Sequence, residues 1–128
     1  MQKHLAVFSG DTADKILTGA KKIDIRLSKH KVAPFGQVAT SDQVLMRQSG
    51  KKLIGSFIVD RVIFFDHPTK EEIGDIKRKY QKDIGMDDKF WHIKMDAKYL
   101  TLIFVRSSTR FLVSPQVNKR DLRSWVVL

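Results

Sequence analysis

Between Leu53 and Phe65 the chain runs almost without polar relief, through Leu53, Ile54, Phe57, Ile58, Val59, Val62, Ile63, Phe64 and Phe65. A strand with one wet face alternates apolar and polar side chains. A continuous run therefore argues burial on both faces, or a strand that bends. Gly55 is a natural bulge site in a barrel, and Asp60 and Arg61, the polar interruption, mark a bend. This run is the expected heart of the core.

The flanking pattern is mixed. Lys3 to Phe8 reads as a first strand, followed by a Ser9-Gly10-Asp11 turn. Asp11, Thr12 and Asp14 suit the first turn of a short helix, which Gly19 stops by accepting a left-handed conformation. In the strand that follows, Ile23, Ile25 and Leu27 share one face, and Lys22, Asp24 and Arg26 the other. Residues 28 to 34 are a loop carrying Lys29, His30 and Lys31. Gly36 to Thr40 and Gln43 to Arg47 are short strand candidates, and Ser49 to Lys52 is a turn. Thr69 with Glu72 matches a capping box, and Ile73, Ile76, Tyr80 and Ile84 recur at helical spacing until Gly85. Glu71 and Asp75 lie on the polar face of that helix, from which a carboxylate could join a site. Phe90, Trp91 and Ile93 form an apolar patch in an otherwise charged segment. Tyr99 to Arg106 and Thr109 to Val113 read as a hairpin around Ser107 and Ser108. A helical turn over Lys119 to Arg123 and a last strand from Trp125 to Leu128 complete the chain.

One domain over residues 1–128 is the expectation for this length, and 42% hydrophobic residues are enough for a core. The absence of cysteine removes disulfides, thiolate metal sites and a cysteine nucleophile, and fits a reducing, cytoplasmic setting. The apolar start is too short for a secretory signal, and no run approaches a bilayer span. His4, His30, His67 and His92 lack the spacing that puts two ligands on one metal, and no phosphate-binding glycine loop or G-x-S-x-G elbow occurs. No metal or cofactor is expected.

Lys21, Asp24 and Arg26 stand close together where the short helix gives way to a strand. By spacing alone they form a solvated strand face, in which a lone ion pair contributes about 0 to 1 kcal/mol. The alternative is a cleft where Lys21 and Arg26 meet an anionic or polar ligand while Asp24 orients them. The segment Gly19-Ala20-Lys21-Lys22-Ile23-Asp24-Ile25-Arg26 resembles the G-x-K-x-x-E-x-R signature of ASCH domains, members of the PUA-like superfamily. Phe35-Gly36-Gln37-Val38 resembles that family's Gly-Asp-x-Val turn. Asp24 stands where the family usually has Glu, one methylene longer, and Gln37 where it has Asp. The resemblance implies an α+β fold: a small mixed β-barrel with a short N-terminal helix before the motif strand and one longer amphipathic helix.

The +10 net charge is unevenly spread, with +6 in residues 1–52, 0 in 53–100 and +4 in 101–128. A fold that joins the two ends would concentrate positive charge on one face and attract a polyanion. What the resemblance implies is an RNA- or nucleotide-binding module. Lys21, Arg26, Lys29 and Lys31 would meet phosphates, Asp24 would accept from a base amino group, and Phe8, Phe35 and Tyr99 would stack on bases. It also implies the alternative of a small ASCH-type hydrolase acting on N4-acylated cytidine or on RNA, with Lys21 and Asp24 as catalytic groups. In the amidohydrolase subset a threonine holds the position of Asp24. As a catalytic group Lys21 would need a depressed pKa, which the adjacent Lys22 and partial burial would provide, whereas a carboxylate at position 24 raises it, which suits binding better than proton abstraction.

Overall fold

The computed structural model describes residues 1–117 and 123–128. Its elements in chain order are β1 (Lys3–Phe8), α1 (Thr12–Thr18), β2 (Ile23–Ser28), β3 (Gln43–Gln48), β4 (Leu53–Asp66), α2 (Lys70–Ile84), α3 (Asp88–Lys94), β5 (Tyr99–Arg110) and β6 (Trp125–Val127). The six strands form one sheet in the order β2-β5-β4-β3-β1-β6. β1 and β3 run parallel, and every other neighbouring pair is antiparallel. The sheet is a curled half-barrel with β2 and β6 as its edges, so the expected barrel is open at one seam. β2 begins immediately after the turn that ends α1, and its outer edge lines that seam.

The apolar run of β4 is the spine of this sheet, pairing with β3 along its first half and with β5 along nearly its whole length. Two register shifts bend the β4–β5 ladder. Asp60 is an extra residue on β4, at the bend expected there. Ser107 and Ser108 together oppose Phe57, so they form a bulge within one continuous strand rather than the expected hairpin turn. Ser107 takes the positive φ of 52° that lets the strand kink without reversing. Gly55 is required for a different reason. A Cβ there would lie 2.5 Å from the Thr109 carbonyl oxygen and 2.8 Å from a methyl of Leu17.

Both faces of the sheet are covered. Inside the curl, Phe8, Ile16, Val44, Met46, Phe57, Val59, Ile103 and Trp125 pack together. On the outer side, α2 and α3 bring Ile73, Ile76, Ile84 and Trp91 against Ile23, Ile25 and Leu27 of β2 and Leu100 and Leu102 of β5. Each of the three α2 isoleucines contributes about 1.5 to 3 kcal/mol by leaving water. The capping box at Thr69 and Glu72 fixes the start of α2, and Gly85 at φ 68° ends it. Residues 36–40 form turns and irregular chain instead of a strand. Ile93 is 58% exposed, so Trp91 and Phe90 alone anchor α3. Residues 119–122 of the expected helical turn lie outside the described residues.

Candidate functional site

Alternation along β2 sends Ile23, Ile25 and Leu27 into the helical layer and turns Asp24 and Arg26 the other way, toward Phe8 and Trp125. Asp24 is buried and accepts from Arg26 Nε at 2.9 Å. The guanidinium then crosses the seam, where Nη1 and Nη2 each lie 3.4 Å from the Val7 carbonyl oxygen of β1. Its carbon sits 4.7 Å from the Phe8 ring centre and 5.1 Å from that of Trp125. Arg26 is thus held by a carboxylate, a carbonyl and two aromatic faces, and still has N–H groups to offer.

Behind Trp125 lies a buried polar chain that sequence spacing gave no means of finding. The indole N–H donates to His4 Nδ1 at 3.1 Å, and His4 Nε2 lies 2.8 Å from Asp42. Because an indole nitrogen only donates, Nδ1 must accept, which puts the imidazole proton on Nε2, facing the carboxylate. Burial works to raise the Asp42 pKa. Hydrogen bonds from the Gln2 and Ala39 amides and from His4 outweigh it, and the carboxyl is held below its ordinary value.

Lys21 sits just before β2 and is buried. Its ammonium donates to the Ile84 carbonyl at the C-terminus of α2, while the Lys22 amide donates to Asp83 at 3.0 Å. The end of α2 is therefore fastened to the start of β2, and a cation there suits the helix dipole. Burial pushes the Lys21 pKa below the ordinary lysine value, and Arg26 and Lys15 push the same way. Asp24 works to raise it, as expected of a carboxylate at that position, but by less than burial lowers it, so the net shift is downward.

These groups border an open cleft of about 390 Å³ along the seam. Phe8, Lys21, Asp24 and Arg26 all line it, joined by Thr12 of α1, Ser49, Phe90 and Lys94 of α3, and Ser124. Phe8 is only 3% exposed, and its ring faces Arg26. Phe35 lines a separate hollow of about 80 Å³ that shares Arg26, Leu27 and Ser124 with the cleft. Tyr99 lies outside the cleft lining, with its ring 5.0 Å from Phe35 and 5.2 Å from His67. Lys29 pairs with Asp96 at 3.3 Å beside a third hollow, and Lys31 is exposed on the loop. Glu71 and Asp75 remain on the outer face of α2, where Asp75 pairs with Arg78, so neither joins the cleft. Among the described residues, Asp24 is the one carboxylate lining it, and no group of three His, Asp or Glu side chains could hold a metal. No described helix is long and apolar enough to cross a membrane.

No family model matches the chain, and no curated protein does. Solved structures do. The crystal structure of ASCH from Zymomonas mobilis aligns with a TM-score of 0.77 at 12% identity, covering 99% of this chain and 87% of that one. This chain has an ASCH fold. A mutant of the same ASCH protein aligns with a TM-score of 0.76 at 12% identity, over 100% of this chain and 91% of that chain. The hypothetical protein PH0355 aligns more loosely, with a TM-score of 0.53 at 16% identity over 82% of this chain and 97% of that chain. In this ASCH fold the segment resembling the family signature, Gly19 to Arg26, ends α1 and runs along the open edge of the half-barrel.

Proposed function

We propose that the protein binds RNA or a nucleotide in the seam cleft through Lys21, Asp24 and Arg26. The observation that carries this reading is the immobilised Arg26 guanidinium. It is oriented by Asp24, Val7, Phe8 and Trp125 before any ligand arrives, so little side-chain entropy is lost on binding. Lys94 adds a cation with no ion pair among the described residues, and Phe90 an apolar surface. Lys29 and Lys31, with Phe35 and Tyr99 beyond the smaller hollow, belong to an outer zone for a longer strand. Phe8 acts through Arg26. The reading requires no metal or cofactor.

The test is a titration of labelled single-stranded RNA at several salt concentrations, with wild type, Lys94→Ala and Arg26→Lys. Lys94→Ala should weaken binding several-fold and reduce the salt slope by about 0.7, the value for one phosphate contact on a single strand. Arg26→Lys keeps the charge but loses the fork, and should weaken binding at every salt concentration. Equal binding by all three proteins would mean that overall positive charge explains the affinity and the cleft does not.

The lowered Lys21 pKa favours a second reading, a small ASCH-type hydrolase of N4-acylated cytidine or RNA in which a neutral Lys21 takes a proton. Incubation with N4-acetylcytidine and with RNA, followed by chromatography, decides this. Turnover by wild type that Lys21→Met abolishes would establish it, and no turnover of either substrate would retire it.

A further inference from the structure

β2 is an edge strand, bonded on one side only, to β5. In an antiparallel pair, alternate residues point both their N–H and C=O toward the partner and the others point both away. Lys22 and Ser28 carbonyls accept from Val105 and Lys98, which sets the phase. Asp24 and Arg26 therefore bond across to β5, while Ile25 and Leu27 aim their main-chain groups out of the sheet, into the seam. Both residues border the cleft, and their side chains pack in the helical layer with Met86 and Phe90, which border it too. Among the described residues nothing hydrogen-bonds to these main-chain groups of Ile25 and Leu27.

We propose that this open edge of β2 reads the hydrogen-bonding edge of a nucleobase, with the N–H and C=O of Ile25 or Leu27 pairing with an adjacent acceptor and donor on the base. The inference rests on the nucleotide-binding reading above and adds how the base is held. Each of the four RNA bases presents a donor beside an acceptor, so main-chain reading accepts any of them provided that edge is free. An extended peptide is the usual occupant of an open strand edge. Here the seam is crossed by Arg26 bound to Val7, which divides the cleft from the Phe35 hollow and leaves no continuous lane for a strand. The cations Arg26 and Lys94 beside the edge suit the phosphates of a nucleotide.

The experiment uses isotope-labelled protein and amide hydrogen exchange followed by NMR. Trinucleotides with a central adenine or uracil are compared with otherwise identical ones carrying adenine dimethylated on its exocyclic amine or uracil methylated on its ring N–H, which block the edge without changing charge. The unblocked trinucleotides should slow exchange at Ile25 or Leu27 at least tenfold and leave Asp24 and Arg26 unchanged. The blocked ones should bind at least tenfold more weakly. Binding weakened by Arg26→Lys, with no protection at Ile25 or Leu27 and no penalty for methylation, would overturn the inference and leave the nucleotide-binding reading standing. No binding by any trinucleotide would overturn both. Protection of the same amides by a valine- and threonine-rich hexapeptide, without protection by trinucleotides, would assign the edge to a peptide and overturn the inference.

Discussion

Removing the Arg26 side chain should cost the fold more than a surface ion pair would, because its partner stays behind. The Arg26 and Asp24 side chains are 17% and 5% exposed, so Arg26→Ala leaves a carboxylate with little access to water and without its main hydrogen-bond donor. Breaking a buried pair by removing one partner costs about 3 to 5 kcal/mol. Lys21 still attracts Asp24 from the same cleft, which places the expected loss near the lower end. With a urea slope of about 2 kcal/mol per molar, a loss of about 3 kcal/mol lowers the unfolding midpoint by roughly 1.5 M. Adding Asp24→Asn removes the stranded charge, and the double variant should be about 1 to 2 kcal/mol more stable than Arg26→Ala alone. Urea unfolding of the four proteins in a double-mutant cycle measures this. A double variant no more stable than Arg26→Ala would refute the argument that stranded charge is the cost. The same geometry makes Arg26→Lys, which keeps a cation beside Asp24, a cleaner probe of binding than Arg26→Ala.

The β4–β5 ladder and the buried lysine give the other predictions. Gly55→Ala should destabilise by about 1 to 3 kcal/mol, since the new methyl meets the Thr109 carbonyl at 2.5 Å and backbone has to move; an unchanged melting temperature would contradict that contact. Lys21 has a folded-state pKa below its ordinary 10.5, so between those two values the unfolded chain binds more protons. Stability contributed at this site therefore rises as pH climbs through the folded value toward 10.5. The wild-type stability minus that of Lys21→Met, measured by chemical unfolding across alkaline pH, should increase with pH; a flat difference would mean that burial does not lower this lysine.

Elements governed by local chemistry were legible in the sequence. The capping box at Thr69, the glycine stops at Gly19 and Gly85 and the alternation of β2 all depend on residues a few positions apart. So did the nearness of Asp24 to Arg26, which a strand face dictates. The rest has a different origin. Ser107 and Ser108 look like a turn until β4 is known to continue opposite them, and whether two serines reverse a chain or bulge it is decided by the partner strand. For Lys21, spacing reveals the neighbouring carboxylate, which does work to raise its pKa, but not the helix end whose burial of the amine outweighs it. Lys94, Trp125, His4 and Asp42 carried no local signal at all, since they reach the Arg26 neighbourhood only through the curl of the sheet and the packing of α3.

The two bulges in the β4–β5 ladder cancel. Asp60 adds a residue to β4 and Ser107–Ser108 add one to β5, so pairing beyond them returns to its original phase. Flattening one bulge with its extra residue retained would slip the remaining ladder by a residue and turn the inward side chains of one strand outward. Deleting an extra residue itself leaves every pair in place, because without Asp60 Val59 still opposes Val105 and Arg61 still opposes Phe104. A relative can therefore drop the residue at Asp60, or one of Ser107 and Ser108, with no compensating change in the other strand, whereas a deletion at a paired position of either strand slips the ladder.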